Sequence, residues 1–181
     1  LDTFESWAFV IFIALLLPIL MMVPTTPVLI LASVGWLYAI YCCHQYHQSP
    51  TTFRFNKWQW IGFGVLTLGP SWLALCSMRF FIGHPSDVIF LFLLIWGADS
   101  GAFFAGKYFG KTLLAPQLSP KKTWEGVKGA CYATLLVVIL QGIYLHLTWH
   151  RWLAYVVVYF VTLIFAIYGD LFESMLKRMS G

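Results

Sequence analysis

Charge is scarce in this sequence. Only 18 of its 181 residues are Asp, Glu, Lys or Arg, whereas 60% are hydrophobic. Soluble domains are about a quarter charged, so the composition excludes an ordinary soluble domain. The apolar runs are too long and continuous for alternating barrel strands, and they predict transmembrane helices instead. We therefore predict an all-α, polytopic membrane protein with a single helical membrane domain over residues 1–181.

Several familiar motifs are also missing. The four cysteines form no CxxC pair and lie in apolar runs, so we interpret them as reduced packing residues. No Walker motif and no Rossmann glycine fingerprint is present, which argues against the common nucleotide-binding folds. The net charge of +4 does not indicate a nucleic-acid partner. Asp2 and Glu5, rather than a basic segment, precede the first apolar run, so that run is predicted to be a span and not a cleavable signal.

The apolar runs predict about six membrane spans of roughly 20 residues each. Their expected positions are residues 7–23, 28–43, 58–81, 87–105, 129–147 and 153–168. Prolines predict a kink at Pro18 and an interruption of the third span at Gly69-Pro70. Residues 1–86 are then a hydrophobic N-terminal part, and residues 87–181 carry a long polar connection and a charged terminal helix.

The basic residues predict the orientation of these spans. With six spans and a cytoplasmic N-terminus, nine lysines and arginines lie on the cytoplasmic side, and only Arg79 and Arg151 lie outside. Eleven of the 18 charges fall within residues 97–128 and 169–178. Both of these charged clusters therefore emerge on the same face of the membrane, where they can form one site.

Asp99 stands in an apolar span among small residues, in the segment Gly97-Ala-Asp-Ser-Gly-Ala102. A carboxylate at the centre of a span costs roughly 2.5–3.5 kcal/mol on insertion scales, so it usually faces a polar cavity or a partner. Small neighbours permit close approach by a ligand or by a second helix. Two interpretations remain open at this point, a ligand-facing Asp and a hydrogen-bonded helix-packing Asp.

The segment Leu118-Ser-Pro-Lys-Lys-Thr-Trp-Glu-Gly126 has the composition of an anion site. Ser119 is expected to cap a helix that begins near Pro120, since Pro is favoured at the first helical position. Free N–H groups at a helix start and two lysines attract phosphate. The same residues would also suit a cytoplasmic loop that binds anionic lipid head groups.

The terminal charged segment is Gly169-Asp-Leu-Phe-Glu-Ser-Met-Leu-Lys-Arg178. At helical spacing, Asp170, Glu173, Ser174 and Lys177 share one face. Two carboxylates one turn apart can hold a hard cation, and Lys177 and Arg178 can bind phosphate. A Glu173–Lys177 surface ion pair is the simpler alternative, but it leaves Asp170 unexplained.

Four segments together resemble the phosphatidate cytidylyltransferase family, the CDP-diacylglycerol synthases of bacterial membranes. They are residues 96–102, 106–111, 118–126 and 169–178. The resemblance covers about the last 85 residues. It implies a nucleotidyltransferase of phospholipid biosynthesis in the bacterial inner membrane, which converts CTP and phosphatidic acid to CDP-diacylglycerol and pyrophosphate. It also implies Mg²⁺ as cofactor, with a second cation and a homodimer left open.

The resemblance further implies roles for individual residues. The implied catalytic residues are Asp99, Lys121, Lys122 and Asp170. The implied substrate-binding residues are Ser100, Ser119, Lys121, Lys122, Thr123, Ser174, Lys177 and Arg178. The implied metal ligands are Asp170, Glu173 and Asp99.

The family signature continues beyond the last residue of this sequence, through a Lys-Asp pair, a His-Gly-Gly and further aspartates. We therefore expect these 181 residues to be a piece of a longer synthase, truncated at both ends and inactive alone. The alternatives are a CTP-dependent polyprenol or lipid kinase, a non-catalytic transporter, and an inert relic. A transporter predicts ionisable residues at several depths, whereas here the charges lie near one face.

Overall fold

A computed structural model of the chain describes residues 3–50, 53–82 and 84–180. Its helices are, in chain order, α1 (Thr3–Leu20), α2 (Thr25–Gln48), α3 (Lys57–Ser77), α4 (Pro85–Phe109), α5 (Trp124–Tyr144) and α6 (Trp149–Ser180). A π-helical turn, Met78–Ile82, follows α3, and two short strands, β1 (Leu113–Ala115) and β2 (Ser119–Thr123), lie between α4 and α5. The predicted all-α fold is confirmed.

Among the described residues five helices, α2 to α6, are long and apolar enough to cross a membrane, and α1 contains a shorter apolar segment, Ser6–Leu20. The chain is therefore a polytopic membrane protein. The predicted interruption at Gly69-Pro70 is wrong, because α3 continues through Pro70. At its 32 residues α6 is about 48 Å long, which exceeds the hydrocarbon core of a bilayer, so it joins the predicted last span to the charged terminal helix.

The chain divides into two compact units. The first comprises Leu1–Tyr41 and Thr52–Val88, and the second comprises Cys42–Thr51 and Ile89–Gly181. In the first unit α3 packs against α1 and α2. The ring of Phe9 contacts Gly64, the side chain of Leu66 contacts Gly35, and Tyr38 stacks on Phe63 with ring centroids 5.9 Å apart.

A reciprocal cap begins α3. The Asn56 side chain accepts a hydrogen bond from the Gln59 backbone N–H at 2.9 Å, and the Gln59 side chain accepts one from the Asn56 N–H at 2.9 Å. This capping box satisfies two donors that a helix start would otherwise leave unpaired. It explains why the helix begins at Lys57, directly after the polar segment.

In the second unit α4 and α5 approach each other through small residues. A Cβ atom added to Gly101 would lie 2.6 Å from the carbonyl oxygen of Gly129. A Cβ atom added to Gly129 would in turn overlap the carbonyl oxygen of Gly101 and the Cβ of Ala105. Backbones can come this close only where side chains are absent, as in other membrane helix pairs. The small residues around Asp99 therefore pack α4 closely against α5.

Helix α6 completes the core of the second unit. Ala98 of α4, Ala130 of α5 and Leu163 of α6 are buried together. Nearer the other end of these helices, the buried Gln141 accepts a hydrogen bond from the hydroxyl of Tyr159. Three helices that share one core place the polar ends of α4 and α6 beside the start of α5.

The polar connection contains a small antiparallel hairpin that the sequence did not predict. Leu113 pairs with Thr123, Ala115 pairs with Ser119, and the register shifts between these pairs. The helix expected to begin near Pro120 begins four residues later, at Trp124. Its cap is Thr123, whose hydroxyl accepts a hydrogen bond from the Gly126 N–H at 3.1 Å. The prediction that Ser119 caps this helix is therefore wrong, because residues 119–123 are extended.

Candidate functional site

A cavity of about 420 Å³ lies in the second unit, among α4, the hairpin, α5 and α6. Its apolar wall includes Ala98, Ala130 and Leu163, the same three residues that form the core beneath it. Its charged lining residues are Asp99, Lys107, Lys121, Lys122 and Asp170. Two carboxylates and three ammonium groups thus meet at a cavity whose other lining residues, apart from Thr123, have no polar side chain.

Helix α4 supplies Asp99 and Lys107, which stand two turns apart on one face. The Lys107 ammonium lies 5.8 Å from the ring centroid of Phe103 and 5.7 Å from that of Tyr108. Sequence reasoning missed Lys107 as a site residue because it ended the span at Ala105. The i, i+4, i+8 spacing of residues 99, 103 and 107 would have revealed it, had the helix been extended to Phe109.

An ion pair connects the hairpin to α6. Lys122 of β2 pairs with Asp170, and their side chains are 24% and 54% exposed. Asp170 occupies the first polar turn that follows the apolar part of α6, which explains how its carboxylate reaches the cavity. The Lys122 ammonium therefore neutralises Asp170 directly, and the two groups are both placed to bind ligands of opposite charge.

Further hydrogen bonds hold the ends of the hairpin. One carboxylate oxygen of Glu125 accepts from the backbone N–H groups of Lys111 and Thr112, at 3.1 and 3.2 Å. The Trp124 N–H donates to the carbonyl of Thr112 at 2.9 Å. At the turn, the Nε of Arg178 donates to the carbonyl of Leu118 at 2.8 Å.

The structure brings some of the predicted site residues together and leaves others apart. The predicted residues that line the cavity are Asp99, Lys121, Lys122, Thr123 and Asp170. Those that do not line it are Ser100, Ser119, Glu173, Ser174, Lys177 and Arg178. Lys177 pairs with Glu173 at 2.6 Å, which is the simpler alternative considered for this segment. Their roles in binding substrate or metal stay predictions.

The residues of the cavity fit a hard divalent cation that is shared with a substrate. Within residues 3–50, 53–82 and 84–180, no group of three His, Cys, Asp or Glu side chains is arranged to hold a metal ion. Asp99 and Asp170 nevertheless come from two helices to one cavity. Mg²⁺ is commonly bound through one or two carboxylates, while water and substrate phosphates supply its other ligands. Asp99 and Asp170 could hold it in this way.

Comparison with known proteins places this arrangement in a family. The sequence model of the cytidylyltransferase family matches residues 2–181. Among curated proteins, the chain is 36% identical over 154 residues to the phosphatidate cytidylyltransferase of Pseudomonas aeruginosa, which covers 85% of this chain and 56% of that protein. It is 32% identical over 136 residues to the phosphatidate cytidylyltransferase of Bacillus subtilis, which covers 70% of this chain and 47% of that protein.

A third relative, the phosphatidate cytidylyltransferase of Haemophilus influenzae, is 39% identical over 100 residues, or 52% of this chain and 34% of that protein. No solved structure matches the chain. The chain spans about half the length of the curated relatives it matches. The family match extends over nearly the whole chain, including the first three helices, for which the motifs gave no indication. The chain belongs to the cytidylyltransferase family.

Proposed function

We propose that the protein containing this chain is a membrane CTP:phosphatidate cytidylyltransferase, which makes CDP-diacylglycerol and pyrophosphate. One observation carries the proposal. Asp99 and Asp170 share a single cavity with Lys107, Lys121 and Lys122, and apart from Thr123 the other side chains that line it are apolar. The names of the curated relatives favour this reaction over a lipid kinase.

The reaction needs charge neutralisation more than it needs a base. A phosphate oxygen of phosphatidate attacks the α-phosphorus of CTP, the bond from that phosphorus to the bridging oxygen breaks, and pyrophosphate leaves. The attacking phosphate is already an anion, so no strong base has to activate it. Lysines that bind both polyanions would lower their repulsion and stabilise the charge that builds up in the transition state.

Different residues of the cavity would neutralise different parts of the substrates. Lys121 and Lys122 of the hairpin are placed to bind the nucleotide phosphates, and Lys107 of α4 adds a third cation. Mg²⁺, when bound at Asp99 and Asp170, would supply further positive charge for the phosphates. Binding of a phosphate to Lys122 would also compete with its ion pair to Asp170, which frees that carboxylate for the cation.

The apolar wall suits a lipid substrate. Ile95, Leu163 and Ile167 line the cavity beside its charged residues. A phospholipid likewise combines a charged part with an apolar part, because its phosphate is polar and its acyl chains are apolar. We propose that phosphatidate enters from the bilayer with its phosphate toward the lysines, while CTP enters from water.

The basic residues support a cytoplasmic position for this site in the bacterial inner membrane. The polar segments that precede α3, connect α4 to α5 and end α6 carry nine lysines and arginines, and an excess of such residues favours the cytoplasmic side. This assignment does not depend on whether α1 crosses the membrane, since α2 to α6 are sufficient for it. A cytoplasmic N-terminus follows only if α1 also crosses.

A product assay on the full-length protein in vesicles tests the proposal. The protein is supplied with CTP labelled in its cytidine, with phosphatidate, with diacylglycerol and a polyprenol as acceptors for a kinase, and with Mg²⁺, and both the nucleotide and the lipid products are separated. We expect a labelled lipid and pyrophosphate in equal amounts. Labelled CDP together with a newly phosphorylated lipid would show a kinase instead, and the absence of any CTP-dependent product would reject both enzymes.

A further inference from the structure

We infer that Glu125 and Arg178 are positioning residues that hold the lysine-bearing hairpin, residues 113–123, against the cavity from its two ends. The hairpin carries Lys121 and Lys122, on which the proposed function depends, so the catalytic part of this inference rests on that proposed function. The structural part does not, because it concerns which hydrogen bonds hold the hairpin in place.

The hairpin is too small to hold its own shape. Its two strands comprise three and five residues, and the register between them is irregular. Isolated two-stranded hairpins are marginally stable at best in water. The position of Lys121 and Lys122 must therefore be fixed by contacts with the surrounding helices.

At the open end of the hairpin, Glu125 supplies such a contact. Its carboxylate accepts hydrogen bonds from two consecutive N–H groups, those of Lys111 and Thr112, directly before β1. Glu125 lies in the first turn of α5, where a negative side chain is favoured by the helix dipole. It therefore fixes the start of β1 to the same helix that continues from β2.

At the turn, Arg178 supplies the second contact. Its Nε donates to the carbonyl of Leu118, and the Leu118 side chain is itself buried. The bond joins residues 60 positions apart in sequence, so it ties the turn to the end of α6. Asp170 stands two turns earlier on that helix. The two ends of the hairpin are thus tied to different helices.

The ion pair between Lys122 and Asp170 is a third contact of the hairpin, but it is unsuited to hold the hairpin while substrates are bound. Lys122 pairs with Asp170, but a phosphate competes for Lys122 and a divalent cation competes for Asp170. The contacts of Glu125 and Arg178 are to backbone groups of Lys111, Thr112 and Leu118, and none of these three residues lines the cavity. They can therefore keep the hairpin in place while Lys122 exchanges one partner for another.

Hydrogen exchange on the full-length protein without substrates tests the structural part. Glu125→Ala removes the acceptor of the Lys111 and Thr112 amides, so we expect those amides to exchange about tenfold faster. Arg178→Ala should raise the exchange rate of the amides of residues 117–119 by a similar factor. Glu125→Gln keeps an acceptor oxygen and should restore most of the protection. Controls are Lys128→Ala on α5 and Arg151→Ala on α6, which remove exposed charges from the same helices.

Kinetics then test the catalytic part. In Glu125→Ala and Arg178→Ala we expect KM for CTP to rise about tenfold with a smaller change in kcat, and Glu125→Gln should recover most of it. If Arg178→Ala does not fold, the same exchange and kinetic measurements are made on Arg178→Lys, which keeps the positive charge. Unchanged exchange in both alanine variants would overturn the inference. Faster exchange with unchanged KM and kcat would overturn its catalytic part, and an inactive wild-type protein would reject the proposed function alone.

Discussion

The α4–α5 contact of the second unit differs from the α1–α3 and α2–α3 contacts of the first unit in what limits the approach of the helices. In the first unit, Cβ atoms added to Gly35 and Gly64 would lie 2.6 Å from the side chains of Leu66 and Phe9. In the second, Cβ atoms added to Gly101 and Gly129 would meet backbone carbonyl groups. A side chain can turn away from an added methyl group, whereas a packed helix backbone must move as a whole.

The closer backbone packing occurs in the unit that contains the charged cavity. All five charged residues of the cavity lie in the second unit. Close backbone packing of α4 and α5 brings Asp99 and Lys107 beside the hairpin, where Gly106 lies next to the hydroxyl of Thr123. A displaced helix would therefore displace charges. In the first unit, rings and aliphatic side chains lie at the helix contacts of Gly35 and Gly64. These side chains fill space, and no charged group of the cavity depends on their exact position.

The largest effect that separates the units is expected at their aspartates. Asp170→Asn should lower kcat/KM about a hundred- to thousandfold with the protein still folded, because an amide cannot replace the charge of a proposed metal ligand. The matched control in the first unit is Asp87→Asn, at the start of α4, where the side chain accepts a hydrogen bond from the His84 N–H. An amide oxygen can accept that bond, so activity should stay near the wild-type value. Near-normal activity of Asp170→Asn would remove Asp170 from the site.

The glycine contacts provide the second test. Gly129→Ala should destabilise the protein by about 3 kcal/mol, and Gly64→Ala by about 1 kcal/mol, because only the first change pushes on a backbone. Gly62→Ala is the control, since nothing lies within 4 Å of its added Cβ, and it should be neutral or slightly stabilising. Thermal unfolding in one detergent measures all three. Equal losses for Gly129→Ala and Gly64→Ala would contradict the comparison.

Lys107 provides the third test, with a smaller effect. Lys107→Met keeps most of the length of the side chain and removes one of three cations from the cavity, so kcat/KM should fall about tenfold. Lys57→Met, at the first position of α3 in the first unit, is the matched control and should leave kcat/KM unchanged. Initial rates in vesicles with varied CTP measure both. An unchanged kcat/KM for Lys107→Met would show that Lys107 lines the cavity without binding a substrate.

Much of the fold was predictable because bilayer helices leave strong signals. Long apolar runs located α2 to α6, since only a helix satisfies its own backbone within hydrocarbon. The ends of these helices were less predictable. Pro70 suggested a break that α3 does not have, and the end of α4 was placed before Lys107. Helix ends depend on caps and on tertiary contacts, which apolar runs do not record.

The site was predictable in its composition but not in its local geometry. Asp99, Lys121, Lys122 and Asp170 were predicted from charge in an apolar chain, and they line one cavity. The hairpin was missed because Pro116 and Pro120 resemble loop residues and its strands are only three and five residues long. Its supports are long-range, as the bond from Arg178 to Leu118 illustrates, so no local pattern predicts them.

The smallest expected difference concerns two helix caps. Asn56→Ala and Thr123→Ala each remove a side chain that accepts a hydrogen bond at the start of a helix, and each should cost about 1 kcal/mol of stability. Asn56 caps α3 in the first unit, whereas Thr123 both caps α5 and lines the cavity. Only Thr123→Ala should therefore also lower kcat/KM, and Thr123→Ser, which keeps the hydroxyl, should recover both properties. Thermal unfolding and initial rates on the same preparations separate the two effects. An equal fall in kcat/KM for both alanine variants would mean that the site depends only on the general stability of the protein. The position of Thr123 at the start of α5 would then have no separate effect on the site.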